Sequence, residues 1–459
     1  MQCKFVSKSD GNSRLIVIFA GWSTDTTFYS HVVIPGWDTL VVSGYSDLKF
    51  PSVLLNGYSS IALFAWSLGV FAASQCFPFE RACMAVAING TERPVDDTYG
   101  IPENIYHGTT DTLNERNLLK FRRRMAGHTF KDIADKFPTI PITELQQQLN
   151  TIAKCHKQST VEVSSHWDRA YVSLNDLIFP PQSQVNAWSK HPSKPHVIKV
   201  DAPHYVDLLL IIKAALPQHE TIGKRFEKAL PTYNDTAAPQ KAIARHLMDM
   251  LSNNKHILNG KKIAKILEIG PGTGFLTHLF STQFKPTSID FVELYPQGYF
   301  GMAPTENHFV ADAESWIAEK ASSESDYYDA VISSSAIQWF ANPKLFFKNA
   351  TKLLRRGGVL LCSTFLPGNL EELLEVNPFG LVYRSAEALS NSMPESLSII
   401  SIQGEEIPAI FDNPRETLAH LIKTGVGGSA KSTLPIGDLL RKLPTTLTYR
   451  PLYLLAIKK

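Results

Sequence analysis

The chain lacks most features that would send it to a membrane, a nucleic acid or an oxidising compartment. It has five cysteines in 459 residues, at positions 3, 76, 83, 155 and 362. The number is odd, the positions are scattered, and no two have Cys-x-x-Cys spacing, so neither a disulfide framework nor a zinc site is expected, and no metal. The longest apolar run, "LLLIIKAAL", is interrupted by Lys213 and is too short to cross a bilayer. The first residues, "MQCKFVSKSD", lack the apolar centre of a secretory signal. Charge of one sign is also missing. The 45 Lys and Arg against 43 Asp and Glu leave a net charge of +2, which gives no field for nucleic acid or an anionic membrane. The expectation is a cytoplasmic protein of two or three domains with an ordinary apolar fraction of 44%.

Strand signals come in two series. The first is "RLIVIFAGW" (14–22), "TLVVSGY" (39–45), "IALFAWS" (61–67) and "CMAVAING" (83–90). Wholly apolar strands separated by helices indicate a parallel sheet covered on both faces. Residues 110–165 are polar, basic and helical. Strands resume at "AYVSL" (170–174) and "HVIKV" (196–200). A proline-bearing, strandless stretch at 216–240 puts the boundary near 218, giving domains 1–218 and 219–459. The second series runs through "KILEIG" (265–270), "SIDFVEL" (288–294), "DAVISSS" (329–335) and "GVLLCSTF" (358–365). No repeat relates the two halves.

In the first half, "FAWSLGVF" (64–71) is nearly the Gly-x-Ser-x-Gly turn that presents a serine nucleophile between a strand and a helix. Ala65 replaces the first glycine and Gly69 supplies the second. Taken alone, Ser67 is as readily a serine on a buried helix. The α/β-hydrolase order of Ser, Asp, His is then met by Asp176 in "SLNDLIFPP" and His204 in "VDAPHYVDL", each just past a strand. Asp168, Asp201 and His166 remain as alternatives. The N–H groups of Trp22, in "FAGWST", and Leu68 are suited to an oxyanion hole.

The motifs "FAGW", "AWSLG", "INGTERPVDDTYGIP", "KFRRRM", "NDLIFP" and "DAPHYVD", in this order over residues 1–215, resemble the BioG-type pimeloyl-carrier methyl ester esterases of biotin synthesis. The resemblance implies an α/β-hydrolase fold, a triad of Ser67, Asp176 and His204, and a helical lid over about 110–165. Acyl carrier proteins are acidic, so Lys120, Arg122, Arg123 and Arg124 in the lid are expected to meet the carrier; Leu118, Leu119, Phe121 and Met125 either wall the acyl pocket or, equally, belong to the core.

In the second half, "ILEIGPGTGFLTHLF" joins a strand to a helix through Gly270, Gly272 and Gly274. Glycines let a backbone turn tightly and approach a ligand, a pattern shared with dinucleotide loops. Three acids in register favour S-adenosylmethionine. Glu268 lies inside the strand, Glu293 at the end of the next strand is suited to the ribose hydroxyls, and Asp312 in "FVADAESW" to the adenine amine. The segments "KRFEKALPTYNDTAAPQKAIARHL", "VISSSAIQWF" and "LLCSTFLPGNLEEL" resemble the BioC-type malonyl-carrier O-methyltransferases, strongly to residue 375 and weakly beyond. That resemblance implies a class I (Rossmann-like) methyltransferase fold, with Tyr233, Gln240, Gln338 and Trp339 in the acceptor pocket or its lid.

Together these readings describe one enzyme that esterifies the free carboxylate of malonyl carrier and later hydrolyses pimeloyl-carrier methyl ester, with the acyl carrier protein as partner and no nucleic acid or membrane. The competing readings are a generic esterase joined to an unrelated methyltransferase, or one half serving as an inert carrier scaffold.

Overall fold

The computed structural model describes residues 1–159, 165–296, 300–425 and 435–459. The segment 160–164, within the expected lid, lies outside the described residues. The chain divides into two compact units, Met1–Ile212 and Lys213–Lys459.

The first unit is built on a seven-stranded sheet of order β1-β3-β2-β4-β5-β6-β7. Its strands are β1 (Gln2–Ser7), β2 (Arg14–Phe19), β3 (Asp38–Ser43), β4 (Ser60–Trp66), β5 (Met84–Ile88), β6 (Arg169–Ser173) and β7 (His196–Val200). Only β1 is antiparallel to its neighbour. The central strand β4 reads "SIALFAW" and is buried at every residue, as a strand covered on both faces must be. Between β5 and β6 the chain leaves the sheet to form the helices Glu103–Asp111, Glu115–Ala126 and Ile142–Gln158, with short turns between them. Asn114 caps the second of these by accepting from Asn117 N.

The second unit holds another seven-stranded sheet, of order β10-β9-β8-β11-β12-β16-β13. Strands β8 (Lys265–Ile269), β9 (Ser288–Glu293), β10 (Thr305–Val310), β11 (Tyr328–Ser333) and β12 (Leu354–Phe365) are parallel. Strand β16 (Pro451–Lys458) is inserted antiparallel between β12 and β13 (Leu397–Gly404). A two-stranded sheet pairs β14 (Ile407–Ile410) with β15 (Thr446–Tyr449). The strand order reverses between β8 and β11, the place where open parallel sheets leave a crevice at the carboxyl ends of their strands. The arrangement is the Rossmann-like sheet expected for this half.

Candidate active sites

Strand β4 ends at Trp66, and Ser67 turns the chain sharply into the helix Leu68–Cys76 with φ 59° and ψ −130°. A serine avoids this backbone region unless its surroundings impose it. They do so here by close approach of the backbone. Ser67 N donates to Ile88 O at 2.9 Å. A Cβ on Gly90 would stand 2.2 Å from the Ser67 carbonyl oxygen, and one on Gly69 would stand 2.3 Å from Phe19 O. Gly69 was legible in the motif; Gly90 belongs to a different strand end and was not.

The Ser67 hydroxyl lies 2.9 Å from His204 Nε2, and His204 Nδ1 lies 2.7 Å from Asp176 Oδ2. All three residues are buried. Asp176 also accepts from Ile178 N, Phe179 N and Gln184 Nε2. These donors fix its orientation. The His204 carbonyl accepts from Trp66 Nε1 at 3.1 Å and from Asn89 Nδ2 at 2.7 Å, and the imidazole is stacked on Phe179. Asn89 also bonds Ser173 through backbone and side chain, tying the ends of β5 and β6 to the histidine loop. Asn89 lies in the motif "INGTERPVDDTYGIP", but sequence reasoning gave it no role. The alternatives are engaged elsewhere: Asp168 with Ala85 N and His166, Asp201 with the Asn175 amide.

Trp22, Ser67 and Leu68 line one cavity with Ile101, Ile105, Tyr106, Thr109, Phe121, Arg124, Leu149, Leu177 and Ile178. Leu68 N–H is the first of its helix, so no carbonyl of that helix can take it. The Trp22 indole donates to Leu145 O, and its ring meets Phe121 edge-on at 4.9 Å. Of the four expected apolar walls only Phe121 reaches the cavity. Leu118 and Met125 share the helix face of Phe121, at i, i+3 and i+7, but are buried in packing and do not line the cavity, whereas Leu119 lies on another face and is 43% exposed.

The basic run also divides. Lys120, Arg123 and Arg124 are exposed. Arg122 turns inward, donating to Ser23 O at 3.3 Å and Pro138 O at 2.9 Å, with its guanidinium over the Phe137 ring. Burial lowers its pKa from the usual arginine value. Arg122, expected to meet the carrier, is thus half-buried and bonded to backbone carbonyls of its own chain, unlike its exposed neighbours.

In the second unit, Gly270, Gly272 and Gly274 all have positive φ. A Cβ on Gly270 would meet Ala336 at 2.5 Å, whereas Gly272 has open space beside it. The Glu293 carboxylate accepts from Gly272 N at 3.2 Å and Leu294 N at 2.8 Å. Burial pushes its pKa up to about 7. The cavity here is lined by His219, Phe226, Tyr233, Gln240, the glycine turn, Glu293, Ser335 and Trp339, among others. Several buried polar atoms around it have no protein partner: Gln240 Oε1, Thr273 Oγ1, Ser335 Oγ and Trp339 Nε1. Buried polar atoms without partners are costly, which suits a site built for a polar ligand. A glycine turn that admits close approach, a carboxylate at the end of the adjoining strand and polar atoms without protein partners fit S-adenosylmethionine.

Three expected contacts are placed differently. Glu268 is buried behind the turn and accepts from Thr277 Oγ1 at 2.7 Å. Burial and the nearby Glu293 push its pKa up to about 8. It is off the cavity wall because alternate side chains of a strand face opposite sides. Asp312 caps the helix Ala313–Ser323 and lies 3.1 Å from His219 Nδ1. Gln338 Nε2 bonds back to Ser335 O, with its Oε1 left unpartnered. His219, which sequence reasoning missed, also meets Trp339 O at 2.9 Å. Burial opposes its charge, but the Asp312 carboxylate outweighs burial and raises its pKa. His219, Asp312 and Glu314 are close enough to share a metal ion. Glu314, however, already accepts from Ala341 N and Asn342 N.

Comparison with known proteins places both halves. Residues 1–210 match the family described as pimeloyl-ACP methyl esterase BioG, and residues 233–394 match a methyltransferase domain. A malonyl-[acyl-carrier protein] O-methyltransferase of Bacteroides fragilis (strain 638R) is 32% identical over 97% of this chain and 93% of its own length. The enzyme of the same description from Porphyromonas gingivalis is 32% identical over 52% of this chain and 95% of its own length. A crystal structure of BioG from Haemophilus influenzae is 34% identical, covers 45% of this chain and 94% of that one, and has a TM-score of 0.41.

Proposed function

From a chain that belongs to the malonyl-[acyl-carrier protein] O-methyltransferase family and carries a pimeloyl-ACP methyl esterase domain ahead of that enzyme, we propose how two sets of residues divide the work. The protein is a bifunctional enzyme of biotin synthesis. Its second unit methylates the carboxylate of malonyl carrier, and its first removes that methyl once the chain has grown to pimeloyl.

We read the first unit as an α/β-hydrolase. The observation that carries this is the unbroken line Ser67–His204–Asp176 at the carboxyl ends of parallel strands. His204 takes the Ser67 proton as Oγ attacks the ester carbonyl. Asp176 holds the imidazole in the tautomer with Nε2 free and steadies the imidazolium. The N–H groups of Trp22 and Leu68 bond the developing oxyanion. His204 then returns the proton to the departing methanol, and water frees the pimeloyl group by the same steps reversed.

In the second unit, the glycine turn and Glu293 hold the cofactor, S-adenosylmethionine, which supplies a methyl on a sulfonium. The malonyl carboxylate is already a nucleophile, so the site needs alignment rather than a base. Neither Lys nor Arg is among the described residues lining this cavity. Neutral donors therefore orient the carboxylate: the Tyr233 hydroxyl, kept protonated because burial raises its pKa, and Trp339 Nε1–H. A cation there would bind the carboxylate more tightly but draw off its nucleophilicity. His219, Asp312 and Glu314 act as a clasp on the helix His219–Thr236, not as metal ligands. The exposed Lys120, Arg123 and Arg124 receive the acidic carrier.

Purified protein given malonyl carrier and labelled S-adenosylmethionine, and separately pimeloyl-carrier methyl ester, tests this division. Ser67→Ala should abolish ester hydrolysis and leave methyl transfer intact. Hydrolysis surviving in the purified variant would remove Ser67 from the role.

A further inference from the structure

At the carboxyl end of β5, three consecutive residues meet the backbone of the whole serine constellation. Ile88 ends the strand, and its carbonyl accepts from Ser67 N at 2.9 Å. Gly90 leaves room for the Ser67 carbonyl oxygen, which a Cβ there would approach to 2.2 Å. Between them, Asn89 is wholly buried and has φ 46°. Its Nδ2 donates to the His204 carbonyl at 2.7 Å and to Ser173 Oγ at 2.8 Å, and its Oδ1 accepts from Ser173 N at 2.8 Å. Ser173 ends β6, and its carbonyl accepts from Asp176 N at 3.4 Å. One side chain thus joins the strand end that precedes Asp176 to the loop that carries His204, and does so from between the residues that shape the Ser67 turn.

Only one orientation of the amide satisfies these partners. The Ser173 N–H can only donate and the His204 carbonyl can only accept, so oxygen faces the first and nitrogen the second. Asparagine is also among the few residues besides glycine that tolerate a positive φ. The bond to His204 matters because of where the histidine sits. Residues 201–207 follow β7 and belong to no helix or strand. Two side chains hold the His204 carbonyl: Asn89 at 2.7 Å and the Trp66 indole at 3.1 Å. The imidazole must keep 2.9 Å to Ser67 Oγ and 2.7 Å to Asp176 Oδ2 at the same time. Misplacing a catalytic group by about 1 Å costs about a hundredfold in rate.

We propose that Asn89 is a positioning residue for ester hydrolysis: its amide sets the His204 loop against the ends of β5 and β6 so that Nε2 meets Ser67 Oγ. The inference rests on the reading of Ser67, Asp176 and His204 as the catalytic triad. Asn89 touches no reacting atom and acts through the His204 backbone. Without its amide, the Trp66 indole alone restrains that carbonyl, from the end of β4. The imidazole then loses its fixed line to Ser67. The ester slot is walled by other residues, among them Trp22, Ile101, Tyr106 and Leu149, so the cost falls on turnover and not on binding.

Two variants of the full chain test this. Asn89→Gly keeps the positive φ without strain and deletes only the amide. Asn89→Asp keeps the shape and the acceptor for Ser173 N, but as a carboxylate gives up both donors. Thermal unfolding and methyl transfer in the same samples show that each variant is folded, and either one suffices. On a small soluble ester, kcat should fall about tenfold to a hundredfold while KM stays within about twofold. Labelling of Ser67 by a fluorophosphonate should slow by a similar factor. Unchanged kcat in a folded variant overturns the inference. So does a KM that rises as far as kcat falls, the mark of a distorted pocket. If the unaltered protein neither hydrolyses ester nor takes the fluorophosphonate on Ser67, the triad reading itself is overturned.

Discussion

Arg122 donates to the backbone carbonyl of Ser23 across 99 positions of sequence, and Ser23 directly follows Trp22, a proposed oxyanion donor. The lid and the oxyanion loop are thus one braced assembly, with the Trp22 indole adding its bond to Leu145 O.

This separates two kinds of arginine variant. Arg122→Ala should lower kcat on a carrier-bound ester and on a small soluble ester alike, because it loosens the loop that carries Trp22. Lys120→Glu with Arg123→Glu should raise KM for the carrier-bound ester only, and added salt should shrink the difference. Paired kinetics on both esters, at low and high ionic strength, check this. Equal effects of the double variant on both substrates would remove the carrier from the account.

Gly90 should be as intolerant as the nucleophile itself. An alanine Cβ would stand 2.2 Å from the Ser67 carbonyl oxygen, and neither backbone can retreat without moving the serine. Gly90→Ala is expected to reduce ester hydrolysis at least a hundredfold while methyl transfer by the same sample continues. Hydrolysis within a fewfold of the unaltered protein would mean the elbow can relax.

Glu268 makes the methyltransferase unit sensitive to alkali. Its folded pKa is raised to about 8 from an unfolded value of 4.5, and Glu293 is raised to about 7. The folded state therefore holds protons that the unfolded chain has released. The stability this confers is complete below about pH 4.5 and is lost as pH rises through 7 and 8. Glu268→Gln should match the unaltered protein near pH 5 and exceed it at pH 9. Thermal unfolding across that range measures the difference, with the relevant transition identified by its upward shift in S-adenosylhomocysteine. A gap that widens toward acid would reverse the assignment.

Trp339→Phe and Tyr233→Phe should each raise KM for malonyl carrier several-fold and leave S-adenosylhomocysteine affinity unchanged. Both remove a neutral donor while keeping the ring. Calorimetry and steady-state kinetics on one preparation separate the two effects. Loss of cofactor affinity instead would move these side chains to the cofactor's half of the cavity.

The esterase must spare the ester that its own chain makes, since linkage gives it a high effective concentration of that product. Pimeloyl exceeds malonyl by four methylenes, and each buried methylene contributes about 0.8 kcal/mol, so a slot walled by Ile101, Ile105, Tyr106 and Leu149 favours the longer ester by roughly a hundredfold. Competing turnover of the two carrier esters measures the ratio, and comparable rates would rule the slot out as the safeguard.

Both chemistries were legible because each leaves a compact local mark. The strand–Ser–helix turn at 60–76 and the strand–glycine–helix turn at 265–284 each lie within about twenty residues. The apolar strands β2 to β5 announced themselves by composition. Two edge strands did not: β10 reads "TENHFV" and β1 "QCKFVS", with too little apolar periodicity to stand out. Strand β16, "PLYLLAIK", is apolar enough but closes the sheet antiparallel from the chain's end, which no local pattern reveals. Asn89, Gly90 and His219 act through partners dozens of positions away. The same distance explains Arg122: three consecutive arginines look alike in sequence, and only the helix decides which of them turns inward.

Because Met1–Ile212 and Lys213–Lys459 are stretches of one polypeptide, every ribosome that completes the chain delivers one copy of each activity. A cell cannot make more of the maker than of the remover, or degrade one and spare the other. Dosage, the usual means of balancing consecutive enzymes, is closed to this pair. The balance between capping and uncapping is therefore written wholly into turnover numbers and affinities, and a change that sped one half would have to be answered by a change in the other half of the same chain.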